Sequence, residues 1–289
     1  MYDGDGRSAQ EFVDRLADAA ERFETPCGAG EMVRRAWGSG PPLVLLHGAH
    51  GSWTHWIRNI EALSAARRVI VADLPGFGDS ALPPQGDGAG LTEALASGLR
   101  RLPVETPADL VGFSTGGVVG ASLAAHAPDL VRRLVLVDAG GLGTPLGQFS
   151  TRPVRGLEGE ALRQAHRDNL LSLMLRHEAT VDELALLIQG RNVSRARLSP
   201  SSLVLPDKLL SALAQVRAPI DLIWADEDAA HPYPASQAAV VRRFQPGAGL
   251  RVIAGAGHWV MYERSEAFNE ALLAVLAEPP RRTPGLIGA

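Results

Sequence analysis

Asp109-Leu-Val-Gly-Phe-Ser-Thr-Gly-Gly117 is the segment from which the architecture of this chain can be read. The apolar run from Asp109 to Gly112 ends in Gly112-x-Ser114-x-Gly116, and residues 116 to 126 are small and helix-forming. An unbroken apolar run of this length reads as a strand buried on both faces. A serine on a tight turn from strand to helix takes up a strained backbone geometry that only small flanking residues permit. Its hydroxyl then projects above the sheet, and the amides opening the helix face any negative charge that forms there. A glycine-rich turn in which Ser114 merely caps the helix would use the same letters, so the case depends on partners elsewhere in the chain.

Outward from this unit, Val69 to Ala72, Leu134 to Val137, Ile220 to Trp224 and Leu250 to Ile253 are further buried-strand candidates. They alternate with helical patterns at 55 to 66, 91 to 101 and 116 to 126, which predicts one doubly wound, mostly parallel sheet flanked by helices. Met32 to Trp37 and Leu43 to Leu46, separated by Gly38-Ser-Gly-Pro-Pro42, read as a hairpin leading into it. Phe12, Leu16, Ala19, Ala20 and Phe23 recur at spacings of three and four, which predicts an amphipathic helix over 9 to 23. Between Leu142 and Leu205 the rhythm changes to consecutive helical patterns at 158 to 176 and 181 to 190. An inserted helical cap over 142–205, on a core of 1–141 and 206–289, accounts for this. A last helix at 265 to 277 precedes a tail expected to be loose.

The bulk numbers narrow the class. A formal net charge of -4 and a pI near 6.1 give no general attraction to nucleic acid or anionic membranes, so neither is expected as a partner. Cys27 is the single cysteine, which excludes an internal disulfide and a Cys-x-x-Cys redox or zinc pair. The opening MYDGDGRSAQ lacks the basic start and apolar core of a secretory leader, and a cytoplasmic location is expected. The composition admits a homodimer without requiring one.

A hydroxyl attacks poorly until a base takes its proton, and histidine suits the task because its pKa lies near neutrality. Of eight histidines, His258 stands in Ala254-Gly-Ala-Gly-His258-Trp259, directly after the last strand and at the same carboxyl edge of the sheet as Ser114. His126, His166 and His177 fall on helical patterns, while His55 and His231 fall in loops. The orienting carboxylate should also follow a strand at this edge. Asp226, Glu227 and Asp228 all follow Ile220 to Trp224; Asp228 is the selection, Asp226 the near rival and Asp138 a third candidate. On the opposite side, Leu43-Val-Leu-Leu-His47-Gly48-Ala49-His50-Gly51 runs from a strand into a loop whose glycines let it fold back. The amides of Ala49 and Thr115 are the expected oxyanion donors. His47 is assigned a structural role, and His50 is left open. A metal would need a third convergent ligand beside these two, and neither His-Glu-x-x-His nor a cysteine cluster occurs.

Taken together, LLHGAHGSWTHW, VADLPGFGDS, LVGFSTGG, LIWADED and AGAGHWVMYERSEAFN resemble the α/β-hydrolase superfamily, specifically its capped members, over about residues 30 to 278. The resemblance implies an α/β-hydrolase fold with Ser114, Asp228 and His258 as a triad. It also implies Ala49 and Thr115 as the oxyanion hole, and a structural turn at Asp73 to Ser80. The turn before the acid usually reads Gly-x-x-Asp in this family, whereas Ala225 stands at the glycine here. The nearest group in appearance is the meta-cleavage-product hydrolases, which split carbon–carbon bonds. Those usually carry Asn where Phe113 stands and a longer oxyanion loop. Haloalkane dehalogenases and epoxide hydrolases resemble the frame but place Asp at the Ser114 position.

The expected activity is cleavage of an ester, thioester or lactone of a small organic molecule through an acyl-enzyme, with no metal or organic cofactor. Carbon–carbon hydrolysis, or cofactor-free oxygenase or lyase chemistry on the same fold, are the alternatives. Phe113, Trp53 and Trp259 neighbour the chemistry and are the expected pocket aromatics. Lys208 is the single lysine, which leaves Schiff-base chemistry little to draw on. The cap carries a small positive excess, best read as a solvated helical surface.

Overall fold

The computed structural model describes residues 8–84, 88–199, 203 and 208–279. The readings of a loose tail beyond 279 and of a boundary at 205/206 lie outside the described residues. Helix α1 (Ala9–Asp18) opens on a capping box in which Ser8 and Glu11 satisfy each other's backbone amides. Its Phe12, Val13 and Leu16 are buried. The expected helix over 9 to 23 stops there, because Glu21–Cys27 forms strand β1, paired antiparallel with β2 (Gly30–Trp37). This ladder overrides the helical spacing that Phe23 continues, and Gly28, at φ 57°, lies in the turn between the two strands.

The expected hairpin of β2 with β3 (Pro42–Leu46) does not form. Strand β4 (Arg68–Ala72) lies between them, antiparallel to β2 and parallel to β3. The helix expected over 55 to 66 is replaced by a short 3-10 turn at Trp53–Trp56 and α2 (Ile60–Ser64). Then follow α3 (Gly88–Arg100), β5 (Ala108–Phe113), α4 (Thr115–His126), β6 (Val131–Val137), α5 (Gly159–Asn169), α6 (Glu183–Arg195) and α7 (Lys208–Leu213). The chain closes with β7 (Ile220–Ala225), α8 (Pro234–Arg242), β8 (Gly249–Ile253), α9 (Val260–Glu263) and α10 (Ser265–Ala277). The eight strands form one sheet in the order β1-β2-β4-β3-β5-β6-β7-β8, parallel from β4 through β8.

Successive strand residues face opposite sides, and here both sides are dry. Leu46, Leu110 and Leu134 join one core with α3, α4, α7 and α8, while Leu45, Val111 and Val135 join a second with α1, α2 and α10. Each central strand is therefore apolar at nearly every position. Between β6 and β7 the regular elements described are helices: α5 runs into a wider turn at Leu170–Met174, and α6 is capped by Asp182, whose carboxylate accepts from the Ala185 amide (2.8 Å). Leu170 and Leu184 of this segment belong to the second core.

Candidate active site

The turn between β5 and α4 holds Ser114 at φ 51°, ψ -119°. A non-glycine residue there stores roughly 1–3 kcal/mol of strain. The surroundings enforce it: the Ser114 amide donates to Val137 O (2.8 Å) and the Gly117 amide to Ser114 O (2.9 Å). A Cβ on Gly112 would lie 2.3 Å from Gly116 O, and one on Gly116 would lie 2.5 Å from Leu46 O. Both glycines are required by close backbone approach.

His258 reaches Ser114 from the loop after β8. Its Nε2 lies 3.0 Å from Ser114 Oγ and its Nδ1 2.9 Å from Asp228 Oδ2. The tautomer with the proton on Nδ1 satisfies both contacts, with the serine hydroxyl donating to Nε2. Asp228 follows β7 and is 2% exposed; its Oδ1 accepts from the amides of Ala230 (2.7 Å) and His231 (3.1 Å). Burial works to raise its pKa, but the facing His258 and His231 outweigh it and hold the carboxyl below the usual carboxylate range. Asp228 thus stays ionised beneath the imidazole.

The two rival acids serve elsewhere. Asp226 accepts from the Gly255 amide (2.8 Å), bracing the loop that carries His258. Asp138 is wholly buried, and its Oδ1 accepts from the Ala225 amide (2.9 Å). Burial, reinforced by the Asp228 charge, pushes its carboxyl well above the usual range.

The loop after β3 forms the facing wall. His47 is fully buried, with Nδ1 2.8 Å from Gly48 O and Nε2 accepting from the Leu74 amide (2.9 Å). Asp73 accepts from the Trp53 amide (2.7 Å) and pairs with Arg35 (3.2 Å), which fixes the far end of the loop. A Cβ on Gly48 would lie 3.1 Å from the Ser114 Cβ, so the loop approaches the serine closely. Ala49 and His50 line the same cavity as Ser114, and Thr115 is the first residue of α4.

That cavity has a volume of about 470 Å³. Ser114, His258, His231, His55 and His50 supply polar groups to it, while Phe113, Leu146, Phe149, Leu173, Met174 and Val193 supply apolar wall. Burial keeps His50 and His55 below the ordinary imidazole range, His55 well below it. Both are therefore neutral at pH 7. The other two aromatics expected to line a pocket stand behind this wall. Trp53 packs on Trp37 (5.7 Å) and Arg35, while Trp259 stacks on Tyr262 (4.1 Å) and donates from Nε1 to His55 O (2.9 Å). Both indoles belong to the second core. A larger cleft, about 810 Å³, is walled by α3 and α4 and does not include Ser114.

Sequence reasoning passed over Glu263. This buried carboxylate accepts from the amides of Gly257 (2.7 Å), Arg176 (2.9 Å) and His177 (2.8 Å), and from Thr180 Oγ1 (2.8 Å). It ties the insertion to the residue preceding His258. Its place five residues after His258 was the available signal, but its partners are mostly amides remote in sequence. His231 was also passed over as a neighbour of Asp228. The ligand atoms of Asp228, His231 and His258 lie within 4.8 Å of one another, the grouping among the described residues that could hold a metal ion. Among the described residues no helix is long and apolar enough to cross a membrane.

A family model described as the alpha/beta hydrolase family matches residues 43–271. A dihydrolipoyllysine-residue acetyltransferase component of the acetoin cleaving system of Pseudomonas putida is 34% identical over 249 residues; the match covers 82% of this chain and 64% of that protein's length. A 2-hydroxy-6-oxo-6-phenylhexa-2,4-dienoate hydrolase of Burkholderia cepacia is 30% identical over 261 residues, 83% of this chain and 89% of that one. The crystal structure of an esterase from a Rhodococcus species superposes with a TM-score of 0.73 at 24% identity, covering 89% of this chain and 98% of that chain, a likeness of fold. The chain therefore belongs to the alpha/beta hydrolase family and is an enzyme of the hydrolase class.

Proposed function

We propose that this protein is a serine hydrolase that cleaves an ester, thioester or lactone of a small organic substrate through an acyl-enzyme. The observation that carries the reading is the chain of contacts from Ser114 Oγ through His258 to Asp228, at 3.0 and 2.9 Å, opening on a cavity with largely apolar walls. His258 takes the Ser114 proton as the oxygen attacks the carbonyl carbon, and Asp228 stabilises the imidazolium that forms. The amides of Ala49 and Thr115 receive the oxyanion, each donor being worth about 2.7–4 kcal/mol in the transition state. His258 then protonates the leaving group. A water deprotonated by the same imidazole hydrolyses the acyl-enzyme, returning the proton to Ser114. The helical insertion, as a cap over 142–205, closes the apolar side of the pocket and sets its preference for small apolar acyl groups.

Carbon–carbon hydrolysis is the second reading, favoured by the relatives named as dienoate hydrolases, such as that of Burkholderia cepacia. A fluorophosphonate probe separates the serine chemistry from non-covalent alternatives: it labels Ser114 in the native protein and fails on Ser114→Ala. A panel of aryl esters, thioesters, lactones and vinylogous diketo acids then divides the two hydrolytic readings. Turnover of the diketo acids alone would replace the ester assignment, and an unlabelled Ser114 in folded protein would remove the acyl-enzyme.

A further inference from the structure

We propose that His231, Asp228 and His258 together form a binding site for a Zn²⁺ ion, which switches the enzyme off by capturing the base. The inference rests on the assignment of His258 as base, and its binding measurement stands apart from that assignment. His231 lies three residues after Asp228. Its amide is bonded to Asp228 Oδ1, and its carbonyl accepts from Trp224 Nε1 (3.0 Å), so the backbone is fixed on both sides. The ring stands 5.2 Å from the His258 ring. Its Nδ1 is buried without a hydrogen-bond partner among the described residues, 3.5 Å from the carboxylate oxygen that His258 already engages.

The donor set suits a borderline-soft ion. Two imidazole nitrogens and one carboxylate oxygen are a zinc-type ligand set, whereas Mg²⁺ and Ca²⁺ require more oxygens. Tetrahedral zinc with bonds of about 2.0–2.1 Å sets its ligand atoms about 3.3 Å apart. Two of the three separations, 2.9 Å from Asp228 Oδ2 to His258 Nδ1 and 3.5 Å to His231 Nδ1, lie on either side of that value, and the third, between the two imidazole nitrogens, is within 4.8 Å. His231 and His258 both line the cavity, which brings solvent to the two rings, whereas Asp228 and the Nδ1 of His231 are buried behind them, so ion entry requires the rings to move aside.

The inhibitory consequence follows from proton bookkeeping. Zinc bonds to the Nδ1 lone pair of His258, which that nitrogen has only after losing its proton. The proton moves to Nε2, the neutral imidazole now presents N–H to Ser114 Oγ, and no acceptor remains for the serine proton. Asp228 and His231 exchange their contacts for bonds to the metal, and no other atom changes its valence.

The test uses the full chain after chelator treatment. Zinc chloride is titrated calorimetrically, and fluorophosphonate labelling of Ser114 is timed with and without the ion. One ion per chain is expected, with labelling slowed at least about tenfold at saturation and restored by EDTA. Magnesium chloride should do neither. His231→Phe removes a direct ligand and should weaken zinc binding by at least about a hundredfold, the upper end of what losing an outer-shell partner costs, with labelling compared to its own zinc-free rate; His231→Asn repeats the measurement if the Phe variant is unfolded. Equal zinc affinity in wild type and variant, no binding, or an equal response to magnesium would overturn the site. If Ser114 goes unlabelled even without zinc, the base assignment falls, and calorimetry still judges the ion site.

Discussion

Replacing Asp228 by asparagine exchanges one oxygen for an NH₂ group and tests the whole proposed mechanism. The carbonyl of the new side-chain amide can keep the Oδ1 contacts with the Ala230 and His231 amides, which places its NH₂ where Oδ2 now meets His258 Nδ1. Two donors cannot face each other, so the imidazole reverts to the tautomer with the proton on Nε2 and loses its capacity to accept from Ser114. The carboxylate charge is lost as well. At 2.9 Å and an effective dielectric near 20, its attraction for the imidazolium is about 6 kcal/mol, or about four decades of rate if none is recovered. A fall of about 10³–10⁴ in kcat/KM for a p-nitrophenyl ester is therefore expected, matching the scale known for a triad acid-to-amide change. Fluorophosphonate labelling should slow in parallel, and thermal unfolding confirms that the variant is folded. Asp226→Asn is the control: its carboxylate braces Gly255 and does not reach His258, so activity should stay within about threefold. A folded Asp228→Asn that loses less than tenfold, or an Asp226→Asn that loses more than Asp228→Asn, would refute the assignment of the acid.

Three further outcomes follow from the packing. Gly116→Ala places a Cβ 2.5 Å from Leu46 O and 2.6 Å from His47 O, and should cost at least about 2 kcal/mol by denaturant unfolding while slowing Ser114 labelling. Glu263→Gln trades a carboxylate that accepts from three amides and a hydroxyl for a side chain with one acceptor oxygen. It should lose about 1–3 kcal/mol of stability and lower kcat more than it raises KM, measured on the same ester. Asp138→Asn tests the raised carboxyl. A group whose folded pKa exceeds its unfolded value binds more protons when folded, so wild-type stability falls as pH rises from about 4, by up to about 1.4 kcal/mol per pH unit until the folded pKa is passed. The amide does not titrate, so the substitution removes that slope. The variant should gain on wild type in Tm between pH 4 and neutrality, with the smallest difference at the acid end; a difference that stays flat with pH would sink the argument.

Local sequence was enough to specify the alternation of buried strands and helices, the tight turn at Ser114, the position of His258 at the same sheet edge and the helical character of the chain between β6 and β7. Each is encoded in apolar runs, glycine spacing and helical periodicity, which act through a residue's own neighbours. Features without such a local code went astray: Phe23 kept the helical spacing while belonging to a strand, and β2 was paired with β3 because they are adjacent in the chain, although β4 lies between them. Asp228 is selected from the sequence over Asp226 and Asp138, although no local feature separates them, since all three follow strands at one edge. It took the three-dimensional arrangement to bring Asp228 to His258, to turn Trp53 and Trp259 into core rather than pocket, and to gather amides from remote segments around Glu263. Those outcomes depend on which surfaces meet when the sheet twists and the insertion docks, and contact between residues far apart in sequence is a property of the folded chain.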